Sequence, residues 1–192
     1  MSLLAQYKMR KHDIGDNAVF VVDSLFDEQL VRMAHHFLSR LEFTLSDYDT
    51  EETKHTRHWK HELYLNNLPT IPVLPALISR IVTVTTEMHN SRKLRLKRIH
   101  CNVHLYGDLQ YPHTDLKPGV TALYFANPYW EVNWMGETVF YNREGEPLYA
   151  VIPKPGRLLV FDGEIAHRGG VPSRECFEPR ISLALKFMID EE

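Results

Sequence analysis

Cysteine is almost missing from this chain: only Cys101 and Cys176 occur, too few for a disulfide framework. No apolar run approaches the ~18 residues a membrane-spanning helix needs. Met1-Ser-Leu-Leu-Ala-Gln-Tyr-Lys8 turns polar at once, so neither a membrane span nor a signal peptide is expected. A net charge of −3 supplies no basic field for a nucleic-acid backbone. There is no internal repeat and no low-complexity tract. The default expectation is a cytoplasmic protein in a reducing compartment. What is present, 192 residues that are 44% hydrophobic and 24% charged, can bury one sizeable core, so a single domain over 1–192 is expected.

The most informative positive feature is Tyr111-Pro-His-Thr-Asp115, followed well downstream by His167 and then by Arg180-Ile-Ser182. Two imidazoles and a carboxylate can occupy one face of an octahedral ion and leave the other open, the ligand set of non-haem Fe(II) oxygenases. A bare His-x-Asp is weak; strand register strengthens it. Leu94 to Gly107 alternates, with Ile99, Cys101, Val103 and Leu105 on one face and His100, Asn102, His104 and Tyr106 on the other. The second face is polar but uncharged, as the lining of a polar pocket would be. Cys101, on the apolar face, reads as a small core residue. Arg180 to Phe187 repeats the pattern, placing Arg180, Ser182, Ala184 and Lys186 together. Arg and Ser two apart on a strand lie roughly 6.5–7 Å from each other, close enough to grip one carboxylate. The run Gly156–Gly163 reads as a buried strand leading to His167, and Gly169-Gly170 beyond it lets the backbone pass close to a bound group.

Through YGDLQYPHTD, Trp130-x-x-x-Trp134-Met-Gly-Glu-Thr138, PKPGRLLVFDGEIAH and Arg180-x-Ser182, the chain resembles the Fe(II)/2-oxoglutarate-dependent dioxygenases, especially their prolyl-hydroxylase-like branch. The resemblance covers roughly 94–190. It implies that His113, Asp115 and His167 bind Fe(II), and that Arg180, assisted by Ser182, binds the distal carboxylate of 2-oxoglutarate. Tyr106, Asn102 or His104 would contact the co-substrate or support the ligands. O2 would be the oxidant, ascorbate an accessory reductant, and succinate and CO2 the products. Arg180 stands further beyond His167 than the family's usual spacing, which leaves Lys186 and Arg174 as alternative anchors. Because Asp115 is present, hydroxylation rather than halogenation is implied.

The remaining organisation reads as α+β: residues 1–93 mostly helical support and lid, and 94–192 a double-stranded β-helix (jelly-roll) catalytic core. Ala18–Val22 suggests an extra strand. Ser24 is a candidate cap for a helix to about Leu41, with Leu30, Met33, Ala34, Phe37, Leu38 and Leu41 as its apolar stripe. A second helix is expected from Pro72–Pro75 to about His89, although Val82–Thr86 is β-branched.

Residues 44–66 form the expected lid, in which Arg57 and Trp59 are candidate contacts for a polar or anionic substrate and a plain solvated loop is the alternative. His55, His58 and His61 lack the carboxylate or cysteine that would make a convincing second metal site. Tyr129, Trp130 and Trp134 are substrate walls or hairpin packing, with Trp134 read as packing. Three readings stay open. The favoured one is a hydroxylase of a small molecule such as an amino acid or natural-product intermediate. The second is a peptidyl, prolyl-type hydroxylase, and the third a non-catalytic metal-binding jelly roll.

Overall fold

The structure, a computed structural model, describes residues 7–63, 73–89 and 93–190. Pro72, at the expected start of the second helix, and positions 64–66 of the expected lid lie outside these residues. Two antiparallel sheets make up the core. The larger follows from β1 (Lys8–Ile14), β2 (Asn17–Asp23), β3 (Thr44–Asp47), β4 (His58–Leu63), β5 (Lys93–His104), β6 (Gly119–Phe125), β9 (Leu158–Asp162) and β11 (Arg180–Asp190), in the spatial order β1-β2-β9-β6-β11-β5-β4-β3. The smaller is β10-β7-β8, from β7 (Thr138–Tyr141), β8 (Pro147–Val151) and β10 (His167–Gly169). This is the expected α+β jelly roll.

The alternation along β5 and β11 determines what each face of the large sheet meets. Ile99, Cys101 and Val103 of β5, with Ile181, Leu183, Leu185 and Phe187 of β11, face outward into a cluster shared with the two helices. Those helices are α1 (Glu28–Leu38) and α2 (Val73–Met88). The opposite face looks toward the small sheet, where a second cluster joins Val19, Val21, Leu159 and Phe161 to Phe140 and Val151. Residues paired directly across β5 and β11 share a face, so Arg180 opposite His104, Ser182 opposite Asn102 and Ala184 opposite His100 all point inward.

α1 begins at Asp27, whose carboxylate accepts from the Leu30 N–H at 2.8 Å. Ser24, the expected cap, instead turns the chain in the left-handed region at φ 64°. Met33, expected on the apolar stripe, is 48% exposed, and the helix ends at Leu38. α2 forms across its β-branched run. That run loses at most ~0.7 kcal/mol of propensity per residue, whereas fully burying each of Leu74, Leu77 and Ile81 contributes about 1.5–3 kcal/mol. Burial decides the outcome.

The expectation that 1–93 is mostly helical is corrected. β1, β3 and β4 extend the large sheet at its two ends in addition to the anticipated β2. β1 is edge-exposed and rich in Lys and Arg, a composition that hides a strand while protecting an edge from other chains. No helix among the described residues is long and apolar enough to cross a membrane.

Candidate metal centre

His113 and His167 are brought together by their own backbones. Each N–H donates to the other's carbonyl at 2.9 Å, an isolated antiparallel bridge between the β5–β6 connection and β10. The Asp115 N–H donates to Gly163 O at 2.8 Å, which ties the carboxylate to the turn after β9. The two imidazole centroids are 4.6 Å apart. The His167 Nδ1 lies 2.9 Å from Ile165 O, and the His113 Nδ1 lies 3.1 Å from Tyr111 O. A carbonyl only accepts, so both Nδ1 atoms carry a proton, which leaves Nε2 as the lone-pair donor of each ring in its neutral form.

Those lone pairs converge with Asp115. His167 Nε2 is 3.4 Å from Asp115 Oδ2, and His113 Nε2 is 4.0 Å from Oδ1. One donor atom from each of the three residues lies within 4.8 Å of the others. First-row divalent ions bond such atoms at roughly 2.0–2.2 Å, so neighbouring donors around one ion sit about 3 Å apart. The spacing and the donor set fit such an ion. Lys186 Nζ and Thr121 Oγ1 both donate to Asp115 Oδ2, the latter at 2.6 Å.

The electrostatics follow from burial and these partners. Burial alone would raise Asp115, but the Lys186 ammonium and both imidazoles hold it far below the usual carboxylate range. Burial pushes His167 down to about 4, which keeps it neutral, the form that ligates a metal. Burial also acts to lower His113, yet the carboxylates of Asp49 and Asp115 outweigh it and the net shift is upward.

A cavity of about 340 Å3 opens on these three residues. Arg180 lies on its wall and is itself 1% exposed. The guanidinium is held by Gly136 O at 2.7 Å, Thr138 Oγ1 at 3.0 Å and His104 Nδ1 at 3.2 Å, over the Phe125 ring. Gly136, at φ 82°, is what allows this approach, because a Cβ there would come within 3.1 Å of Arg180 Cδ. Burial pushes Arg180 down to about 10, so it remains charged at neutral pH. Beside it, the buried Ser182 Oγ and Asn102 Oδ1 have no hydrogen-bond partner within the protein. Leaving such groups unmet costs about 1–3 kcal/mol each. A polar ligand in the cavity removes that penalty.

Asn102, His104, Arg180 and Ser182 therefore line one cavity with the triad, whereas Tyr106 lies beyond the end of β5 and is 65% exposed. Lys186 also lines the cavity, but against Asp115; Arg174 is exposed on the loop before β11 and does not line it. The expected lid borders the cavity through Asp47, Tyr48, Asp49 and His58. Arg57 and Trp59 do not line it. Trp59 pairs with Val103 and packs on the helical core, and Arg57 sits over the Tyr48 ring, 5.1 Å from its centroid. His58, on the alternate face of β4, takes the place proposed for them. His61 donates from Nδ1 to Glu42 O at 2.7 Å, away from His58, and among the described residues the triad is the one cluster with metal-ligand spacing. Tyr129 and Trp130 each pack edge-to-face on Trp134, with the Trp130 indole N–H on Met135 O.

Sequence reading missed Asp49, Thr121, Thr138 and Gln110, which lines the cavity with its amide nitrogen 2.7 Å from His104 Nε2. Thr121 and Thr138 could have been found by alternation on their strands; Asp49, in a polar turn, carries no local signal.

No protein-family model matches the chain, and no curated protein does. Solved structures do match. A prolyl-4-hydroxylase from Pseudomonas putida is 16% identical with a TM-score of 0.62, over 98% of this chain and 96% of that one. An oxidoreductase of the 2OG-Fe(II) oxygenase family from Burkholderia pseudomallei is 16% identical with a TM-score of 0.68, over 88% and 84%. HygX from Streptomyces hygroscopicus, solved with nickel and 2-oxoglutarate bound, is 14% identical with a TM-score of 0.66, over 88% and 82%. At these identities the likeness is one of fold: the chain has the jelly roll of 2OG-Fe(II) oxygenases.

Proposed function

We propose that this protein is an Fe(II)- and 2-oxoglutarate-dependent dioxygenase that hydroxylates an unactivated C–H bond of a small molecule. The observation that carries this reading is the convergence of three donor atoms, from His113, Asp115 and His167, on a cavity that Arg180 also lines. Iron, when bound there with 2-oxoglutarate, supplies oxidative decarboxylation of the co-substrate by O2, yielding succinate, CO2 and an oxidised substrate.

The chain's own residues supply binding and orientation. His113 and His167 present Nε2 because their Nδ1 protons are committed to carbonyls. Thr121 and Lys186 hold Asp115 ionised and turned toward the histidines. Arg180 and Ser182 offer a charged fork and a hydroxyl to the C5 carboxylate, with the Asn102 amide and His104 beside them. Burial of Arg180 strengthens that contact, since the local dielectric is low. The same burial excludes water from the co-substrate end.

A small-molecule substrate is supported by the cavity's volume of about 340 Å3, which lies in the range of small-ligand sites. A second reading, a peptidyl prolyl-type hydroxylase, is favoured by one observation: the match to the Pseudomonas prolyl-4-hydroxylase spans nearly the whole of both chains.

The test is succinate release from 2-oxoglutarate with Fe(II) and O2, screened against amino acids, natural-product intermediates and proline-containing peptides. Stimulation by a small molecule, abolished in Asp115→Ala, is expected. Stimulation by peptides alone would move the assignment to the second reading, and metal-dependent binding without any turnover would leave a non-catalytic jelly roll.

A further inference from the structure

Asp49 is buried, with its side chain 4% exposed, in the turn after the β3 strand, far from the triad in sequence. Its two oxygens are engaged by three donors. Oδ2 accepts the Tyr111 backbone N–H at 2.6 Å and the His58 Nε2 at 2.9 Å, and Oδ1 lies 3.1 Å from His113 Nδ1. An ionised carboxylate only accepts, so His58 carries its proton on Nε2 and His113 carries one on Nδ1. Asp49 and Tyr111 O thus share a single His113 proton. The same carboxylate also clamps the backbone two residues before that histidine.

We propose that Asp49 is a positioning residue for the metal: it fixes the tautomer and ring orientation of His113, and His58 in turn orients Asp49. The inference rests on the metal-binding reading of His113, Asp115 and His167 given above. Metal-ligating imidazoles generally donate their other N–H to a carboxylate or carbonyl, which sets the ring and makes the ligating nitrogen a better donor. His167 has only the carbonyl of Ile165 in that role. His113 has both kinds of partner, and the carboxylate comes from the segment that also walls the cavity with Asp47, Tyr48 and His58. The β3–β4 hairpin is therefore part of the metal centre as well as of the substrate wall. A ligand pressing on His58 acts on the ion through one carboxylate.

The experiment is Mn(II) affinity of the full chain, read by the loss of the free-ion paramagnetic resonance signal, in wild type, Asp49→Asn and His58→Phe. Imidazole 15N shifts of His113 in the metal-free proteins provide a second readout. Asp49→Asn is nearly isosteric and keeps a carbonyl for the Tyr111 N–H. It should weaken Mn(II) binding by about 10–100-fold and relax the His113 tautomer, both read well below the unfolding transition, because losing a carboxylate that His113 and His58 stabilise also lowers Tm. His58→Phe should give a smaller loss in the same direction, and it carries the test if Asp49→Asn does not fold. Wild-type affinity and an unchanged His113 tautomer in folded Asp49→Asn would overturn the proposal while leaving the metal centre intact. Failure of wild type to bind Mn(II), with no difference from Asp115→Ala, would remove the metal reading and this one with it.

Discussion

At the scale of the residue, Arg180 bears the most specific assignment, because only a planar fork can keep three protein contacts and still present donors to a carboxylate. Arg180→Lys keeps the charge but loses this geometry. It should raise the Kd of metal-loaded protein for 2-oxoglutarate about tenfold or more, ~1.4 kcal/mol, as calorimetry would measure. Unchanged affinity would transfer the anchor to Lys186, which lines the same cavity. Lys186→Met addresses that alternative separately: it removes a donor from Asp115 and should disturb metal binding more than co-substrate binding.

Asp23 and Arg157 supply a second prediction at this scale. The Arg157 guanidinium, 3% exposed, grips Asp23 with Nε at 2.7 Å and Nη2 at 3.0 Å, joining β2 to the start of β9. Burial alone would raise Asp23, but the Arg157 hydrogen bond and charge outweigh it, and its carboxyl is held below the ordinary value. A depressed folded-state pKa stabilises the fold above the unfolded pKa, and the gain is lost as pH falls through the folded one. Asp23→Asn should thus lower Tm at neutral pH, and the gap to wild type should shrink once pH drops below about 4. A gap that stays constant down to strongly acid pH would contradict the assignment.

At the scale of the element, what could be read in advance depended on how each strand divides its faces. β5 and β11 alternate cleanly, because one face packs on helices and the other on a polar cavity, so His100, Asn102, His104, Arg180 and Ser182 were assigned to one side correctly. β3 and β4 were not legible as strands. Thr44–Asp47 is short and exposed, and His58–Leu63 carries charge on the face that borders the cavity. Pairing of β4 to β5 and of β3 to β4, rather than local propensity, makes them strands. The same pairing overturned the roles given to Arg57 and Trp59: a strand that exposes His58 to the cavity must turn Trp59 the other way. α2 shows the reverse case, a β-branched run that becomes helix because its apolar stripe has a core to enter. Leu77→Ala, at a position with 0% exposure, should therefore cost about 2–5 kcal/mol in urea unfolding. It should leave the metal site's affinity intact, because α2 meets the face of the sheet opposite the cavity. A loss below ~1 kcal/mol would mean that α2 is not part of the shared core.

At the scale of the whole molecule, one sheet serves two purposes. Its outer face gathers α1 and α2 into a core, and its inner face, closed over by the small sheet, holds a cavity with a triad at one place and a buried arginine at another. The proposed metal ligands sit on a loop, a turn-anchored segment and a short strand, each fixed by backbone hydrogen bonds to its neighbour. This preorganises the donors before an ion arrives. The substrate is less legible than the chemistry because the residues that would select it lie on the β3–β4 hairpin and neighbouring connections, where no local pattern announces a ligand. The central claim is that ion and co-substrate share this cavity. The measurement that tests it most directly is anaerobic calorimetric titration of 2-oxoglutarate into the full chain with and without Mn(II), in wild type and His167→Ala. The account predicts saturable binding that requires the metal and is lost in His167→Ala. Binding of equal affinity with and without the ion, or none in metal-loaded wild type, would contradict it.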